Sequence, residues 1–334
     1  MPPFYNDKFN LLVYLDALGK EHAVKTVEDW RIRREHILAN MQCVMGTMPA
    51  DERKVPLDVQ IIETETLPAV TRQKITYASE KNHRVPAYLL IPNHLKGKAP
   101  AMVCLHGTDG SRGRIAGLGP DYSRYALELA ERGYVTIAPD YITLGDNVVD
   151  LDKLDYASGT MKGIWDHMRA VDLLQSLPQV NAERIGVVGL SLGGHNSLFV
   201  GAFDHRLKVI VTSSGFDSFC DYKGGDLKGW CQGRYMPRIE SVYGKDPSKL
   251  PFDFPEVLAA IAPRPLYIHA PLSDSNFKVD SVKKCVHAAT SVYRLLGAEG
   301  NLVAAYPPGV HGFPADARKA AYEFIDKALR AKTD

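Results

Sequence analysis

"RIGVVGLSLGGHNSLF", residues 184–199, decides the reading of this chain. An apolar run ends in Gly189-Leu190-Ser191-Leu192-Gly193, and helix-compatible residues follow. A serine at such a strand-to-helix turn is expected to take a strained backbone conformation, with its hydroxyl projecting from the sheet. The helix must pack back on the strand, so the residues two before and two after the serine must be small. Gly189 and Gly193 meet that demand, and the stretch reads as a G-x-S-x-G elbow in its strand–turn–helix setting. Ser191 is the candidate nucleophile. The Leu192 N–H, at the positive end of the following helix, is a candidate donor to a developing oxyanion.

Outward from the elbow, short apolar runs recur at 101–105, 134–138, 185–189, 209–213, 266–270 and 302–306. Runs this apolar suit parallel strands covered on both faces. Helices are expected near 121–132, 160–177, 192–203, 278–296 and 315–331. The alternation predicts an α/β fold, a mostly parallel central sheet flanked by helices on both faces. Strands at 57–63, 71–78 and 85–91, the last two joined by "SEKNHR", would add antiparallel strands at the N-terminal edge. A helix over 26–46 is capped by Thr26, with Asp29 three residues on, and stopped by Gly46. The expected organisation is a helical lead-in, 1–54, on a domain of 55–334, with long insertions at 139–160 and 214–264. Both insertions follow the carboxyl ends of strands, where ligands bind in such sheets.

A serine hydroxyl needs a base to take its proton and an acid to hold that base. His311, in "PPGVHGF" after the last strand, sits between glycines in a tight loop and is the candidate base. His195 lies four residues after Ser191 on the same helix and is expected to pack in the core or touch substrate; His269 falls within a strand. Two acids are in reach of His311. Asp274, in "PLSDSNF", follows the strand before it, and Asp217, in "SSGFDSF", follows the strand before that. The one that does not serve would satisfy loop N–H groups. The second oxyanion donor is expected from "HGTDGSRGRIAG", 106–117, as the Thr108 N–H, with His106 bracing the loop.

In this order the elbow, the HG loop, "APLSDSNF" and "GVHGF" resemble an α/β-hydrolase over about residues 55–332. The likeness is greatest to the branch holding dienelactone hydrolases, acetylxylan esterases and related carbohydrate esterases. "GAFDHRLK", "RYMPRIESVYG" and "APRPLYI" add to it, and "VEDWRIRREHIL" resembles the helical lead-in of acetylxylan-esterase-like members. The resemblance implies Ser191, Asp274 and His311 as the triad. Dienelactone hydrolase proper carries Cys where this chain has Ser191, which favours an ordinary serine esterase.

The expected activity is a serine carboxylic-ester hydrolase acting through an acyl-enzyme on a carbohydrate-linked ester, acetyl or uronate. The substrate would be a small molecule or oligosaccharide. In the 214–264 insertion, Trp230, Tyr222 and Tyr235 either stack on a sugar or pack the insertion down, while Arg234 or Arg238 can pair with a carboxylate. The alternatives are a peptidase of prolyl-oligopeptidase type and a catalytically inactive binding protein on the same fold. With Lys+Arg 40 against Asp+Glu 39, net charge +1 and no long basic run, neither nucleic acid nor an anionic membrane is suggested as partner. No stretch is apolar for long enough to span a membrane. The start shows no signal-peptide pattern, so a cytoplasmic location is expected unless a leader was trimmed. The five scattered cysteines read as reduced thiols, a Cys220–Cys231 bridge being the one pairing in view. No cofactor or metal is expected. "GDNVVDLDKLDY" lacks the glycine and terminal glutamate of an EF-hand loop, and no GK[ST] follows the glycines of 107–119. Oligomeric state is not legible.

Overall fold

The apolar runs become strands and the periodic stretches become helices, as seen in a computed structural model. It describes residues 2–109, 111–120, 123–153 and 155–330. Parts of the expected 107–119 loop, 121–132 helix, 145–156 acidic segment and 315–331 helix lie outside these residues. The strands are β1 (Val13–Leu15), β2 (Glu21–Ala23), β3 (Gln60–Thr66), β4 (Val70–Glu80), β5 (His83–Pro92), β6 (Ala99–Leu105), β7 (Val135–Pro139), β8 (Val180–Leu190), β9 (Leu207–Ser213), β10 (Leu266–His269) and β11 (Leu302–Ala305). The helices are α1 (Val27–Met45), α2 (Tyr125–Glu131), α3 (Gly159–Ser176), α4 (Leu192–Phe203), α5 (Arg238–Ser241), α6 (Phe254–Ile261), α7 (Val279–Leu295) and α8 (Ala315–Arg330).

The chain forms two interleaved compact units. One comprises Met1–Met48, Leu151–Met161 and Ser214–His311; the other comprises Pro49–Asp150, Lys162–Ser213 and Gly312–Asp334. In the second unit the strand order is β9-β8-β6-β7-β5-β4-β3. The pairs β6–β7, β6–β8 and β8–β9 are parallel, whereas β5 joins β7, β4 joins β5 and β3 joins β4 antiparallel. Every residue of β7 is buried, so both faces of the central sheet are covered. Every residue of β3 is exposed, as an edge strand. The antiparallel edge thus has three strands. The β4–β5 turn is tighter than "SEKNHR" suggested: Glu80 pairs with His83, leaving Lys81 and Asn82 as a two-residue turn. Asn82 takes φ 67°, a left-handed conformation that asparagine tolerates.

In the first unit, β10 and β11 pair in parallel and β1–β2 form a small antiparallel ladder. Helix α1 starts with the expected capping box: Asp29 N–H donates to Thr26 Oγ1 at 3.1 Å, and Thr26 N–H to Asp29 Oδ2 at 2.9 Å. Gly46 ends it at φ 98°, where an added Cβ would stand 2.7 Å from the Ala157 Cβ. The 214–264 insertion is not a bare loop. It carries α6, whose start is a second capping box made by Asp253 and Glu256. Glu256 also binds Arg33 of α1 at 2.6 Å, with both side chains fully buried. Arg33 further lies over the Tyr5 ring, 3.4 Å from its centroid. The lead-in helix is therefore tied to the insertion by a charge pair that neither member can lose cheaply.

Removing one partner of such a pair leaves an uncompensated buried charge. Arg33→Met should cost about 3–5 kcal/mol in urea unfolding. Arg33→Met with Glu256→Gln should recover much of it, since the amide oxygen of the new side chain still accepts the Asp253 N–H that the carboxylate holds now. A loss under about 1 kcal/mol for Arg33→Met alone would show that the pair contributes little.

Candidate active site

Ser191 stands at the turn between β8 and α4 with φ 56° and ψ −114°, a region L-residues rarely occupy. Its backbone is fixed from two sides. Ser191 N–H donates to Ser213 O at 2.9 Å, and Ser191 O accepts the His195 N–H at 3.1 Å. The flanking glycines are sterically required. A Cβ on Gly189 would stand 2.1 Å from Gly193 O, and one on Gly193 would stand 1.9 Å from Leu105 O. Helix α4 therefore leaves the strand at a distance that no side chain permits. Its first N–H group, that of Leu192, sits at the positive helix end.

The HG loop follows β6 in the same unit. A Cβ built on Gly107 would lie 3.7 Å from the Ser191 Cβ, so this loop runs beside the serine, with Thr108 exposed next to it. His106 is buried and braces the loop. Its Nε2 accepts the Tyr141 N–H at 2.9 Å, so Nδ1 carries the proton and donates to Gly107 O at 2.6 Å. Burial lowers its pKa, against the opposing pull of the Gly107 carbonyl, and keeps it neutral.

The candidate acid and base lie in the other unit. His311 Nδ1 is 3.0 Å from both Oδ1 and Oδ2 of Asp274. Asp274 Oδ1 also accepts the Asn276 N–H at 2.8 Å and the Phe277 N–H at 3.2 Å. Burial pushes the Asp274 carboxyl up, but the His311 hydrogen bond and the loop N–H groups outweigh it and hold the pKa below its usual value. An ionised carboxylate only accepts, so the proton shared by the two groups sits on His311 Nδ1. Asp217 has a different setting. It is 1% exposed, and its Oδ2 accepts the Lys278 N–H at 2.9 Å, just ahead of α7. Burial raises its pKa to about 7, Asp221 and Asp253 adding to the effect against the Lys278 N–H.

The other candidate residues divide by burial. Trp230 is 3% exposed and packs edge-to-face with Phe219, Tyr222 and Tyr235 at centroid distances of 5.5, 5.8 and 6.0 Å. It packs the insertion down. His195 is buried against Phe199, so of its two expected settings the core is the one observed. Tyr222, Arg234 and Tyr235 are half-buried, and Arg238 donates to Cys43 O at 3.1 Å. The Gly233–Tyr235 backbone is bonded to the start of α3 through Gly159 and Thr160. All five cysteines, Cys220 and Cys231 included, are free thiols. Among the described residues no group of three metal-ligating side chains occurs.

Sequence reasoning missed Asp140. Its buried carboxylate accepts main-chain N–H groups from Arg112 and Asp146. The signal was an aspartate directly after an apolar strand, in "IAPDYITLGDN".

Two family models match the chain: fungal glucuronyl esterase over residues 152–297 and acetyl xylan esterase over 47–138. A Bacillus subtilis protein named as a hydrolase, YtaP, is 26% identical over 300 residues, covering 86% of this chain and 96% of its own. The 4-O-methyl-glucuronoyl methylesterase 1 of Wolfiporia cocos is 26% identical over 204 residues. That match covers 53% of this chain and only 48% of the fungal enzyme, so the chain spans about half of that relative. Among solved structures, a glucuronoyl esterase from Solibacter usitatus has the same fold, with TM-score 0.74 at 18% identity, covering 97% of this chain and 98% of the other. The chain thus has the α/β-hydrolase fold and is similar to carbohydrate esterases over its two matched segments.

Proposed function

We propose that the protein is a serine carboxylic-ester hydrolase that cleaves a carbohydrate-linked ester through an acyl-enzyme. Ser191 Oγ attacks the ester carbonyl while His311 Nε2 takes its proton. Asp274 holds the Nδ1–H and stabilises the imidazolium that forms. The Leu192 and Thr108 N–H groups receive the oxyanion. The tetrahedral intermediate collapses, and His311 gives its proton to the departing alcohol. Water, deprotonated by His311, then releases the acid and restores the serine.

The observation that carries this reading is Ser213. Its carbonyl accepts the Ser191 N–H, and its hydroxyl donates to Gly312 O at 2.9 Å, next in sequence to His311. One residue thus serves both the nucleophile turn and the start of the segment after the base.

For the substrate, a uronate ester is the reading we favour. The segment matched to glucuronyl esterases holds the serine, the acid and the 214–264 insertion that follows β9. An acetylated sugar is the second reading, supported by the acetyl xylan esterase match over the HG loop.

Ser191→Ala should lower hydrolysis of a short p-nitrophenyl ester by about 10⁶-fold, and the wild type should be labelled by a fluorophosphonate. Activity near that of the wild type in the alanine variant would remove Ser191 from the mechanism. In a panel of benzyl glucuronate, acetylated xylose and aryl acetates, kcat/KM should be highest on the glucuronate. A preference for acetylated xylose would select the second reading.

The two aspartates separate by isosteric substitution. Asp274→Asn should cut kcat by about 10⁴-fold, through loss of the correct imidazole tautomer. Asp217→Asn should leave kcat within a few fold, since an amide oxygen still accepts the Lys278 N–H; a larger loss at 217 would make Asp217 the acid. The same variant has a signature in stability. A carboxyl whose folded pKa is raised binds its proton more tightly in the folded state, so its contribution falls as pH rises from the unfolded value to about 7. Asp217→Asn should therefore melt higher than wild type at pH 8, with the difference gone near pH 4. Parallel Tm curves across this range would contradict the assigned burial.

A further inference from the structure

We infer that Asp140 is a positioning residue for the oxyanion loop, acting as a clamp that fixes the Thr108 N–H. This inference rests on the oxyanion role proposed above. Two consecutive residues following β7 hold His106, where the loop starts, and Arg112, further along the chain. At the start, Tyr141 N–H donates to His106 Nε2 at 2.9 Å, and His106 Nδ1–H in turn holds Gly107 O. At the far end, Arg112 N–H donates to Asp140 Oδ1 at 2.7 Å. Thr108 lies between the two anchors.

Asp140 is itself fixed on every side. Its N–H donates to Pro86 O at 2.9 Å, and its carbonyl accepts from Asn147 Nδ2 at 2.9 Å. Its Oδ2 accepts the Asp146 N–H at 2.8 Å. The turn at 143–147 closes round the carboxylate: Gly145 has φ +62°, and a Cβ there would stand 2.2 Å from Asp140 Oδ2. Arg112 takes φ 56°, a strained conformation for a non-glycine residue, with its N–H spent on Asp140. The charged groups around the clamp offset one another. Arg112 Nε is 3.2 Å from Asp146 Oδ1, and Lys74 Nζ is 2.7 Å from Asp146 Oδ2. What remains at Asp140 is a carboxylate with both oxygens bonded to main-chain N–H groups. That arrangement sets loop geometry, with His106 Nε2 also 3.9 Å from Oδ1. An oxyanion donor acts only if it is preorganised where charge develops. Loosening the clamp should thus be felt in the transition state more than in substrate binding.

The test uses Asp140→Asn, in which one of the two N–H groups faces an NH2 instead of an oxygen. Gly145→Ala, which displaces the carboxylate by steric contact, is the second variant. Active sites are titrated with a fluorophosphonate, so kcat is expressed per functional serine and counts folded enzyme only. Both variants should lower kcat per site at least tenfold with KM within twofold. Affinity for a trifluoromethyl ketone, whose hemiketal oxyanion fills the hole, should fall by the same factor. A kcat per site within twofold of wild type in both variants would overturn the inference, as would a KM rise that accounts for the loss or an unchanged ketone affinity. Absence of labelling at Ser191 in the wild type would instead bring down the serine-esterase reading, and this inference with it.

Discussion

The whole arrangement turns on how closely α4 approaches the end of β8. With Gly193 set so that a Cβ would stand 1.9 Å from Leu105 O, the helix touches the neighbouring strand through backbone alone. That contact goes with the strained positive-φ conformation of Ser191, φ 56° and ψ −114°, at the head of the helix. It also places the α4 N-terminus, whose first N–H groups lack partners within the helix, beside the Ser191 hydroxyl, where the proposed mechanism develops an oxyanion. The same closeness sets demands on the sheet below. Strand β8 lies between β6 and β9 in parallel register, so the loop after β6 and the residue ending β9 both meet the elbow. Gly107 comes from one side and Ser213 from the other. Two neighbours of one strand thus supply the loop beside the serine and the acceptor of its N–H.

Asp217 and Asp274 show how the environment separates two chemically identical groups. Both are removed from water, and burial alone would push both carboxyls up. Asp274 receives the imidazole N–H and two loop N–H groups, which together outweigh the desolvation. Asp217 receives one N–H and lies near Asp221 and Asp253, so desolvation prevails. The count of donors, and the sign of neighbouring charge, decide which carboxyl stays ionised at neutral pH. A base-holding acid must be ionised to fix the imidazole tautomer, and Asp274 has the setting that keeps it so.

Much of this was legible in the sequence because the signals are local. Glycines two residues either side of a serine, apolar runs of strand length and the Thr26–Asp29 cap each act within a few residues. The edge-strand ladder was legible too, apart from the tightness of its turn, which depends on Asn82 accepting a positive φ. Spacing put Asp274 first and kept Asp217 as the alternative, since both follow strand ends; the N–H donors that set their two pKa values apart come from the fold. Helix α6 carried its own capping-box signal in "DFPE", but the insertion around it lacks the strand–helix rhythm that makes such a signal stand out. Asp140 was illegible in another way: a carboxylate that clamps a loop looks, in one dimension, like any loop acid. Trp230 was in view with two settings, stacked on a sugar or packed into the insertion, and only burial in the fold separates them.

Trp230 also changes what the 214–264 insertion can be. A mobile lid would keep its aromatics at a surface and its charges solvated. Here Trp230 packs on Phe219 and Tyr222, Phe219 packs on Phe252 and Phe254, and α6 is fastened to α1 by the Arg33–Glu256 pair. The ring contacts continue from Tyr222 to Phe277 and from Phe277 to His311, at 5.9 and 6.0 Å. The loop that carries Asp274 is enclosed by the same packing, with Lys223 Nζ on Ser275 O at 2.6 Å. Moving the insertion would drag a buried ion pair and a stack of aromatic rings past one another. The Asp274–His311 pair is therefore carried by a preformed body. The cost of orienting the imidazole is met when the chain folds, before any ester arrives.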